Sequence, residues 1–245
     1  SSIINELSAK EIKVGLIMDQ RLKRIFFRSF DGVEFIENKE DAVKKGYKSF
    51  IPIASLCKFF RNNLDDFSKY SFHLKTNKKI LRKLNAFYKS QKPKIGLSWH
   101  TASKSHGPHR NIKLSAFNDF FNNKNIDFIN LQYGDHNKEI KRLGTKLKTN
   151  IFLNDWIDNK NDLDGLSAKI EACDIVISID NSTLHLAGSL NKDTIGLIPK
   201  VSDWRWMNNT QETPWYKNVS LFRSDGNWRK VILRAYNYSI NKLNL

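Results

Sequence analysis

The stretch from Ser178 to Gly188, SIDNSTLHLAG, combines anion-binding residue types with the pattern of a strand, a tight turn and a helix start. It follows an apolar run and precedes a helical pattern of small residues. Its turn holds four residues of the kind favoured at helix N-caps, namely Asp180, Asn181, Ser182 and Thr183. Free N–H groups and the helix dipole favour an anion at such a point. The stretch therefore predicts a phosphate site, with His185 one turn further on. The alternative is that Ser182 only caps a buried helix and that His185 is a core residue.

A long basic loop, HTASKSHGPHRNIKL, runs from His100 to Leu114 and holds three histidines, two lysines and one arginine. It is too long and too basic for a simple connection between elements. The histidine spacing is not that of a metal site and no carboxylate accompanies it, so we predict no bound metal. We expect a flexible anion-binding loop in which Arg110 or Lys113 clamps a phosphate opposite Ser182. A solvated basic loop is the alternative.

A second long loop, from Pro199 to Lys217, carries three tryptophans and a tyrosine in the sequence PKVSDWRWMNNTQETPWYK. This is more aromatic surface than a solvent-facing loop carries without burial. The rings either fill the space between two domains or stack on a ring-containing ligand, and we expect domain packing for most of them. Asp203 and Arg205 are expected to pair locally.

Length and composition indicate a globular protein. The 245 residues suffice for one large or two small domains, and 40% of them are hydrophobic. No apolar run approaches the roughly 20 residues of a membrane span, and the sequence SSIINELSAK lacks the features of a signal peptide. Cys57 and Cys173 lack the spacing of a zinc or disulfide framework. We therefore expect a cytoplasmic protein with reduced cysteines.

The formal net charge of +16 raises nucleic acid as a partner. The lysines, however, are scattered among asparagines and isoleucines rather than grouped in a stripe, and no recognition-helix or RNP pattern is present. The charge therefore predicts a general attraction for anions, such as a phosphorylated substrate or an acidic membrane surface, and no specific nucleic-acid partner.

The first part of the chain alternates helical and apolar segments, which is typical of parallel βαβ units. After a helix in the first ten residues we predict strands at Lys13 to Met18, Val33 to Ile36 and Ser49 to Ile53, with a helix at Arg21 to Ser29. About three strands are fewer than the five or six of such a domain, so we expect its first strand to be missing. A basic helix, Lys78 to Ser90, ends before Pro93. We place the domain boundary there, giving domains 1–92 and 93–245.

The second part predicts a complete α/β domain. Its strands are expected at Ile95 to Trp99, Ile126 to Gln132, Asn150 to Leu153, Asp174 to Ile179, Thr194 to Ile198 and Val219 to Phe222. Its helices are expected at Leu114 to Asn123, Asn137 to Leu147, Leu163 to Cys173, Ser182 to Leu190 and Trp228 to Lys242. The fold class is thus α/β, with two Rossmann-type domains of which the N-terminal one is incomplete.

Five segments in this order carry a resemblance to a known family: KIGLSWH, FINLQ, DIVISIDNSTLHLAGSL, DWRW and TPWY. Together they resemble the C-terminal domain of GT-B glycosyltransferases. The similarity is greatest to the ADP-heptose lipopolysaccharide heptosyltransferase family, family nine, and to bacterial glycosyltransferases linked to tetratricopeptide repeats. It extends from Ile12 to the C-terminus and is densest from Lys94 to Arg223.

The resemblance implies a donor-diphosphate site at Asp180, Asn181, Ser182, Thr183 and His185, with Arg110 and Lys113 nearby. Asn181 and Ser182 depart from the Thr and Gly/Ala more common in the family. The family's N-terminal Gly-x-Gly-Asp turn is absent, and SSIINELSAK resembles the helix that follows it. We therefore expect a chain that lacks its first strand and an upstream repeat domain, binds a nucleoside diphosphate and transfers sugar poorly.

The implied reaction moves a sugar from a nucleotide diphosphate donor to a hydroxyl of a glycan, lipid-linked or protein acceptor, without metal or cofactor. The implied setting is the bacterial cytoplasm, in lipopolysaccharide or glycan synthesis, with at most peripheral membrane contact. The catalytic base is not identified; His106, His109 and Asp203 are candidates. A catalytically inactive nucleotide-sugar or carbohydrate-binding module is the first alternative, and a nucleic-acid-binding protein the second.

Overall fold

A computed structural model describes residues 2–10, 12–68, 72–105 and 107–245. The chain forms two compact units, Ser1–Thr76 and Asn77–Leu245. The second unit therefore begins earlier than the sequence-based boundary at 92/93. The reason is that the helix before Pro93 packs on the helix Leu163–Glu171 of the second unit.

The first unit contains a two-stranded parallel sheet and short helices. Its elements are α1 (Ser2–Ala9), β1 (Val14–Ile17), α2 (Lys23–Ser29), β2 (Val33–Ile36), α3 (Lys39–Lys44), α4 (Cys57–Phe60) and α5 (Asp65–Ser68). Short 3₁₀ helices lie at Gln20–Leu22 and Ile53–Leu56. In the sheet Val14 pairs with Val33 and Ile17 with Ile36.

Local sequence signals account for the elements of this unit. Helix α1 buries Ile3 and Ile4, and its buried Glu6 pairs with Arg61. The side chain of Asp19 accepts a hydrogen bond from the Arg21 N–H and so starts the 3₁₀ turn that leads into α2. The helix predicted at Arg21 to Ser29 is therefore present, but its first turn is tighter than an α-helix.

The strand predicted at Ser49 to Ile53 is wrong. Residues 49–52 form no strand, and Ile53 begins a 3₁₀ helix. Phe50, Ile51 and Ile53 are 62%, 42% and 55% exposed. Apolar runs of four or five residues do not distinguish a strand from an exposed segment, and Pro52 has no N–H to donate to a sheet.

The second unit contains all six predicted strands. Its elements are α6 (Lys78–Phe87), β3 (Lys94–Ser98), α7 (Gly107–Arg110), α8 (Asn118–Asn122), β4 (Asp127–Asn130), α9 (Asn137–Leu147), β5 (Ile151–Phe152), α10 (Leu163–Glu171), β6 (Ile175–Ile179), α11 (Ser182–Ser189), β7 (Thr194–Ile198), β8 (Val219–Arg223) and α12 (Trp228–Leu243). Two 3₁₀ helices, Leu114–Phe117 and Trp204–Trp206, complete it.

The six strands form one parallel sheet in the order β5-β4-β3-β6-β7-β8. This is a doubly wound sheet: the strands all run in one direction, and successive strands are added toward one edge from β3 to β5 and toward the other from β6 to β8, so the switch point lies between β3 and β6. Ligands bind such sheets outside the carboxyl ends of the strands at this switch point. The loops that follow β3 and β6 are two of the three segments that the sequence analysis singled out.

The sheet is buried on both faces. Every residue of β4, β6 and β7 is buried, as parallel strands covered by helices require. Helix α12 covers one face through Val231, Ile232 and Ala235, so it belongs to this unit. Among the described residues, no helix has both the length and the apolar composition of a membrane span.

Gly96 in the centre of β3 is expected to tolerate no side chain. A β-carbon at Gly96 would lie 2.5 Å from Leu131 Cδ1 and 2.6 Å from Cys173 Sγ. We predict that Gly96→Ala lowers the free energy of unfolding by about 1–3 kcal/mol, measured by urea denaturation. Gly196→Ala in β7 is the control, because its β-carbon would meet Leu184 at 3.2 Å and so forces less repacking. Equal effects of the two substitutions would contradict this account.

Candidate functional site

The site is built around the turn between β6 and α11, which Asn181 holds in place. The Asn181 Oδ1 atom accepts from the backbone N–H groups of Thr183 at 2.9 Å and Leu184 at 3.3 Å, so the residue is the N-cap of α11. Its Nδ2 atom donates to Ser98 Oγ at 2.9 Å, at the end of β3. Ser178 Oγ donates to the same Oδ1 at 3.0 Å. The Asn181 amide is thus fully engaged by the protein itself.

The capping by Asn181 decides which donors remain at the start of α11. The N–H groups of Thr183 and Leu184 are occupied, whereas those of Asn181 and Ser182 bond to nothing in the described part of the chain. Ser182 is exposed, so its hydroxyl also faces solvent. Thr183 is fully buried and its hydroxyl has no partner among the described residues. The turn therefore presents Asn181 N–H, Ser182 N–H and the Ser182 hydroxyl to an anion.

Arg110 reaches across from the β3 loop to this turn. Its Nη2 lies 2.9 Å from Asp180 Oδ2, and its Nη1 donates to the Asp180 carbonyl at 3.2 Å. The Arg110 side chain is 19% exposed and that of Asp180 is 2% exposed. The guanidinium was predicted to lie opposite the start of α11, and the structure does bring it there. Its two contacts are with Asp180, so it is oriented by a carboxylate before any ligand arrives.

The other predicted residues of this loop are not brought to the turn. Lys113 is exposed, and its side-chain amine makes no hydrogen bond or ion pair with the described residues. His109 is exposed on the short helix α7, next to Arg110. His106 lies outside the described residues. The structure thus separates Arg110, which is fixed, from Lys113, which is not.

The loop after β3 is held by a network of side-chain amides that the sequence analysis missed. Gln132, 2% exposed at the end of β4, accepts from the N–H groups of Trp99 at 2.9 Å and His100 at 2.8 Å. It also donates to the carbonyl of His100 at 3.0 Å. Asn111 closes the loop, because it accepts from Thr101 N–H at 2.7 Å and donates to the Thr101 carbonyl at 3.1 Å. The loop predicted to be flexible is therefore anchored at both ends.

The network continues to a buried lysine. Asn159 Nδ2 donates to the carbonyls of Gln132 at 2.9 Å and Asn130 at 3.2 Å, and its Oδ1 accepts from Lys169 Nζ at 2.9 Å. Lys169 lies on α10 and is 1% exposed. Burial lowers the pKa of its amine to about 8. No sequence signal marks this residue, since a single lysine in a helix is ordinarily a surface residue.

His185 lies one turn into α11, as predicted, but as a neutral residue. Its ring stacks on Trp206 with centroids 4.7 Å apart, and Nδ1 lies 3.1 Å from the hydroxyl of Tyr216. Burial, assisted by the Arg205 charge, lowers the pKa of His185 to about 4. The imidazole is therefore uncharged at neutral pH. In the tautomer in which the Tyr216 hydroxyl donates to Nδ1, the ring proton is on Nε2, which is then a hydrogen-bond donor.

Part of the loop from Pro199 to Lys217 packs inside the second unit. Trp206 is fully buried in a cluster with Leu184, Ile198, Val219 and Leu221, and its indole N–H donates to Asp180 Oδ1 at 2.7 Å. Tyr216 fits beside α11 because residue 188 is glycine: a β-carbon there would lie 2.5 Å from the tyrosine ring. The expectation of domain packing therefore fails for Trp206.

Asp203 and Arg205 pair locally, as predicted. Asp203 Oδ1 accepts from the N–H of Arg205 at 3.0 Å and from its guanidinium at 2.9 Å. Burial alone raises the pKa of Asp203, but these hydrogen bonds outweigh it and hold the pKa below its ordinary value. A carboxylate of this kind is a poor proton acceptor, which weakens the case for Asp203 as a catalytic base.

The arrangement is suited to holding an anion with N–H and O–H donors. Residues 2–10, 12–68, 72–105 and 107–245 contain no group of three His, Cys, Asp or Glu side chains placed to hold a metal ion. Asp180 already neutralises Arg110 in part. The contribution of the turn is thus directional hydrogen bonding and the helix dipole.

The two α/β units and the doubly wound parallel sheet define a GT-B-like fold. The crystal structure of the glycosyl transferase family 9 from Veillonella parvula superposes with a TM-score of 0.66 at 11% sequence identity, over 99% of this chain and 92% of that one. Escherichia coli ADP-heptose lps heptosyltransferase II gives a TM-score of 0.53 at 12% identity, over 76% of this chain and 59% of that one. At such identities the likeness establishes the fold.

In sequence, the chain is similar to Protein FlbA from Caulobacter vibrioides, with 32% identity over 148 residues. The match covers 58% of this chain and 24% of FlbA, so the chain spans about a quarter of that relative's length. No protein family model matches the chain.

The buried amine of Lys169 predicts a pH dependence of stability. The unfolded chain keeps this proton up to an ordinary lysine pKa near 10.4, whereas the folded-state pKa is about 8. Between these values the unfolded state binds one proton more, so the free energy of unfolding rises with pH, by about 3 kcal/mol in all. We expect Lys169→Met to lack this rise in denaturation curves recorded from pH 7.5 to 10.5. Parallel pH profiles of the two proteins would show that the amine is not desolvated.

Proposed function

We propose that the chain is a glycosyltransferase that moves a sugar from a nucleotide diphosphate donor to an acceptor hydroxyl. The observation that carries the proposal is the fixed position of Arg110 beside the open N–H groups of Asn181 and Ser182. These groups lie at the switch point of the sheet, where a doubly wound domain binds its ligand. The likeness to solved glycosyltransferase structures supports this reading of the site.

In the proposed reaction the bond between the sugar and the donor phosphate breaks, and negative charge develops on the departing nucleoside diphosphate. The N–H groups of Asn181 and Ser182, the Ser182 hydroxyl and the positive end of α11 stabilise that charge. Arg110 adds a charge-assisted hydrogen bond, and His185 donates one from Nε2. The proposed chemistry uses neither a metal nor a cofactor.

The acceptor hydroxyl loses its proton to a base that we do not assign. Asp203 is a weak acceptor because Arg205 lowers its pKa. His109 is exposed close to Arg110 in sequence and remains a candidate, as does His106. A glycan, a lipid-linked saccharide or a protein supplies the hydroxyl in this proposal, in the bacterial cytoplasm.

Ser182→Glu tests the diphosphate site. A carboxylate in the first turn of α11 interacts favourably with the helix dipole, so we expect the melting temperature to be kept. The same carboxylate repels a bound diphosphate, and we expect the affinity for the best-bound of UDP, GDP, ADP and dTDP to fall at least about tenfold in calorimetry.

Ser182→Gln is the matched control, because it has the same size without the charge. We expect its affinity to stay within a few-fold of the parent chain. Undiminished binding by Ser182→Glu would remove the start of α11 from the site. A parent chain that binds none of the four nucleotides would overturn the proposed function itself.

A further inference from the structure

Two tryptophans of one 3₁₀ turn have opposite environments. Trp206 is fully buried and bonded to Asp180, whereas Trp204 is 54% exposed. Trp204 and Trp215 meet edge to face, with centroids 5.5 Å apart and an interplanar angle of 79°. The Arg205 guanidinium lies 4.5 Å from the Trp204 ring. The large apolar ring of Trp204 is therefore exposed to solvent in the same turn that contacts Asp180 through Trp206.

The backbone under these rings is firmly held. Arg223 donates to the carbonyls of Trp206, Met207 and Thr210, the last two at 3.0 Å and 2.9 Å. The Thr213 hydroxyl donates to the carbonyl of Arg205 at 2.9 Å. Met207 has φ +58°, a conformation that costs free energy in a residue other than glycine. Such strain in a rigid loop is characteristic of functional sites.

We propose that Trp204, Trp215 and Asp203 form a shelf that binds the sugar ring of the donor. The apolar C–H face of the sugar packs on the indole rings, and a carboxylate oxygen of Asp203 accepts hydrogen bonds from its hydroxyls. This inference rests on the proposed function, because the shelf is assigned to the group attached to the diphosphate.

Position favours the donor sugar as the occupant. Trp204 is two residues from Trp206, whose indole N–H holds the Asp180 carboxylate that orients Arg110. Residues two apart in a 3₁₀ helix are separated by about 4 Å along its axis. Trp206 also stacks on His185 of α11, with centroids 4.7 Å apart, so the 3₁₀ turn that carries Trp204 lies against the first turns of that helix.

Shape and charge favour a sugar over a nucleobase. The Trp204 and Trp215 rings meet at 79° and so form a corner. A corner fits a puckered sugar ring with C–H groups on its faces. It fits a flat nucleobase less well, because a base stacks between parallel planes. Both hydrogen bonds that Asp203 accepts from Arg205 use Oδ1. Within the described part of the chain, Oδ2 accepts no hydrogen bond and is therefore available to a ligand. The lowered pKa of Asp203 keeps this carboxylate ionised as a hydroxyl acceptor.

The experiment compares each nucleoside diphosphate with its sugar conjugate, using UDP and UDP-glucose, GDP and GDP-mannose, and ADP and ADP-glucose. The pair bound most tightly by the parent chain is then measured with Trp204→Ala. We expect the Kd of the nucleotide sugar to rise about tenfold, as for the loss of a tryptophan anchor, and that of the nucleoside diphosphate to change less than twofold. Trp204→Tyr, which keeps an aromatic face, is expected to recover most of the sugar affinity.

Trp156→Ala is the matched control. Trp156 is 43% exposed in the same unit and has Lys83 over its ring at 4.1 Å, yet it belongs to a different loop. We expect it to leave the ratio of the two Kd values unchanged.

Two outcomes would overturn the shelf while leaving nucleotide binding, and so the proposed function, intact. One is an unchanged ratio of the two Kd values in Trp204→Ala, whether neither affinity falls or both fall equally. The other is an equal effect of Trp156→Ala on that ratio. Failure of the parent chain to bind any of the nucleoside diphosphates would instead overturn the proposed function and the shelf with it.

Discussion

The site depends on the buried amide of Asn181, which joins the carboxyl end of β3 to the first turn of α11. The Asn181 side chain accepts from two helix N–H groups and donates to Ser98. It therefore fixes the carboxyl ends of β3 and β6, the strands on either side of the switch point, relative to each other. A buried amide with all its partners is specific in geometry, and truncating it leaves several polar groups unpaired. The same amide reduces the number of donors available to an anion, because it occupies two of the N–H groups that an uncapped helix N-terminus offers.

The network behind Asn181 shows how the fold holds its loops. Gln132 orients the β3 loop, Asn159 orients the carbonyls around Gln132, and Lys169 donates to Asn159. Burying an amine beside a neutral amide costs free energy, as its lowered pKa shows. The three loops that follow β3, β4 and β6 thereby share one polar core. This polar core fixes the loop that carries Arg110 relative to the start of α11.

The second unit was predictable because its signals are local and repeated. Apolar runs such as those of β6 and β7, separated by helical periodicity, predict a doubly wound sheet, and N-cap residue types marked the turn at Asn181. The strand expected at Ser49 to Ile53 failed because burial is a tertiary property that a short apolar run does not encode. The contact of Arg110 with Asp180 and the burial of Lys169 were not predictable either. The first joins residues 70 positions apart in the chain, and the second buries a side chain that is ordinarily found at the surface.

The charge at the site differs from what the basic composition suggests. Arg110 is paired with Asp180, Arg205 with Asp203, and His185 is neutral, so the local cations that face the turn are largely compensated. The net charge of +16 then acts at long range, by raising the concentration of anions near the protein, and salt weakens that effect. At the turn itself, hydrogen-bond donors in fixed directions decide which anion binds. Such donors favour an oxyanion of matching geometry over an anion of equal charge and different shape, and the proposed diphosphate site depends on this kind of discrimination.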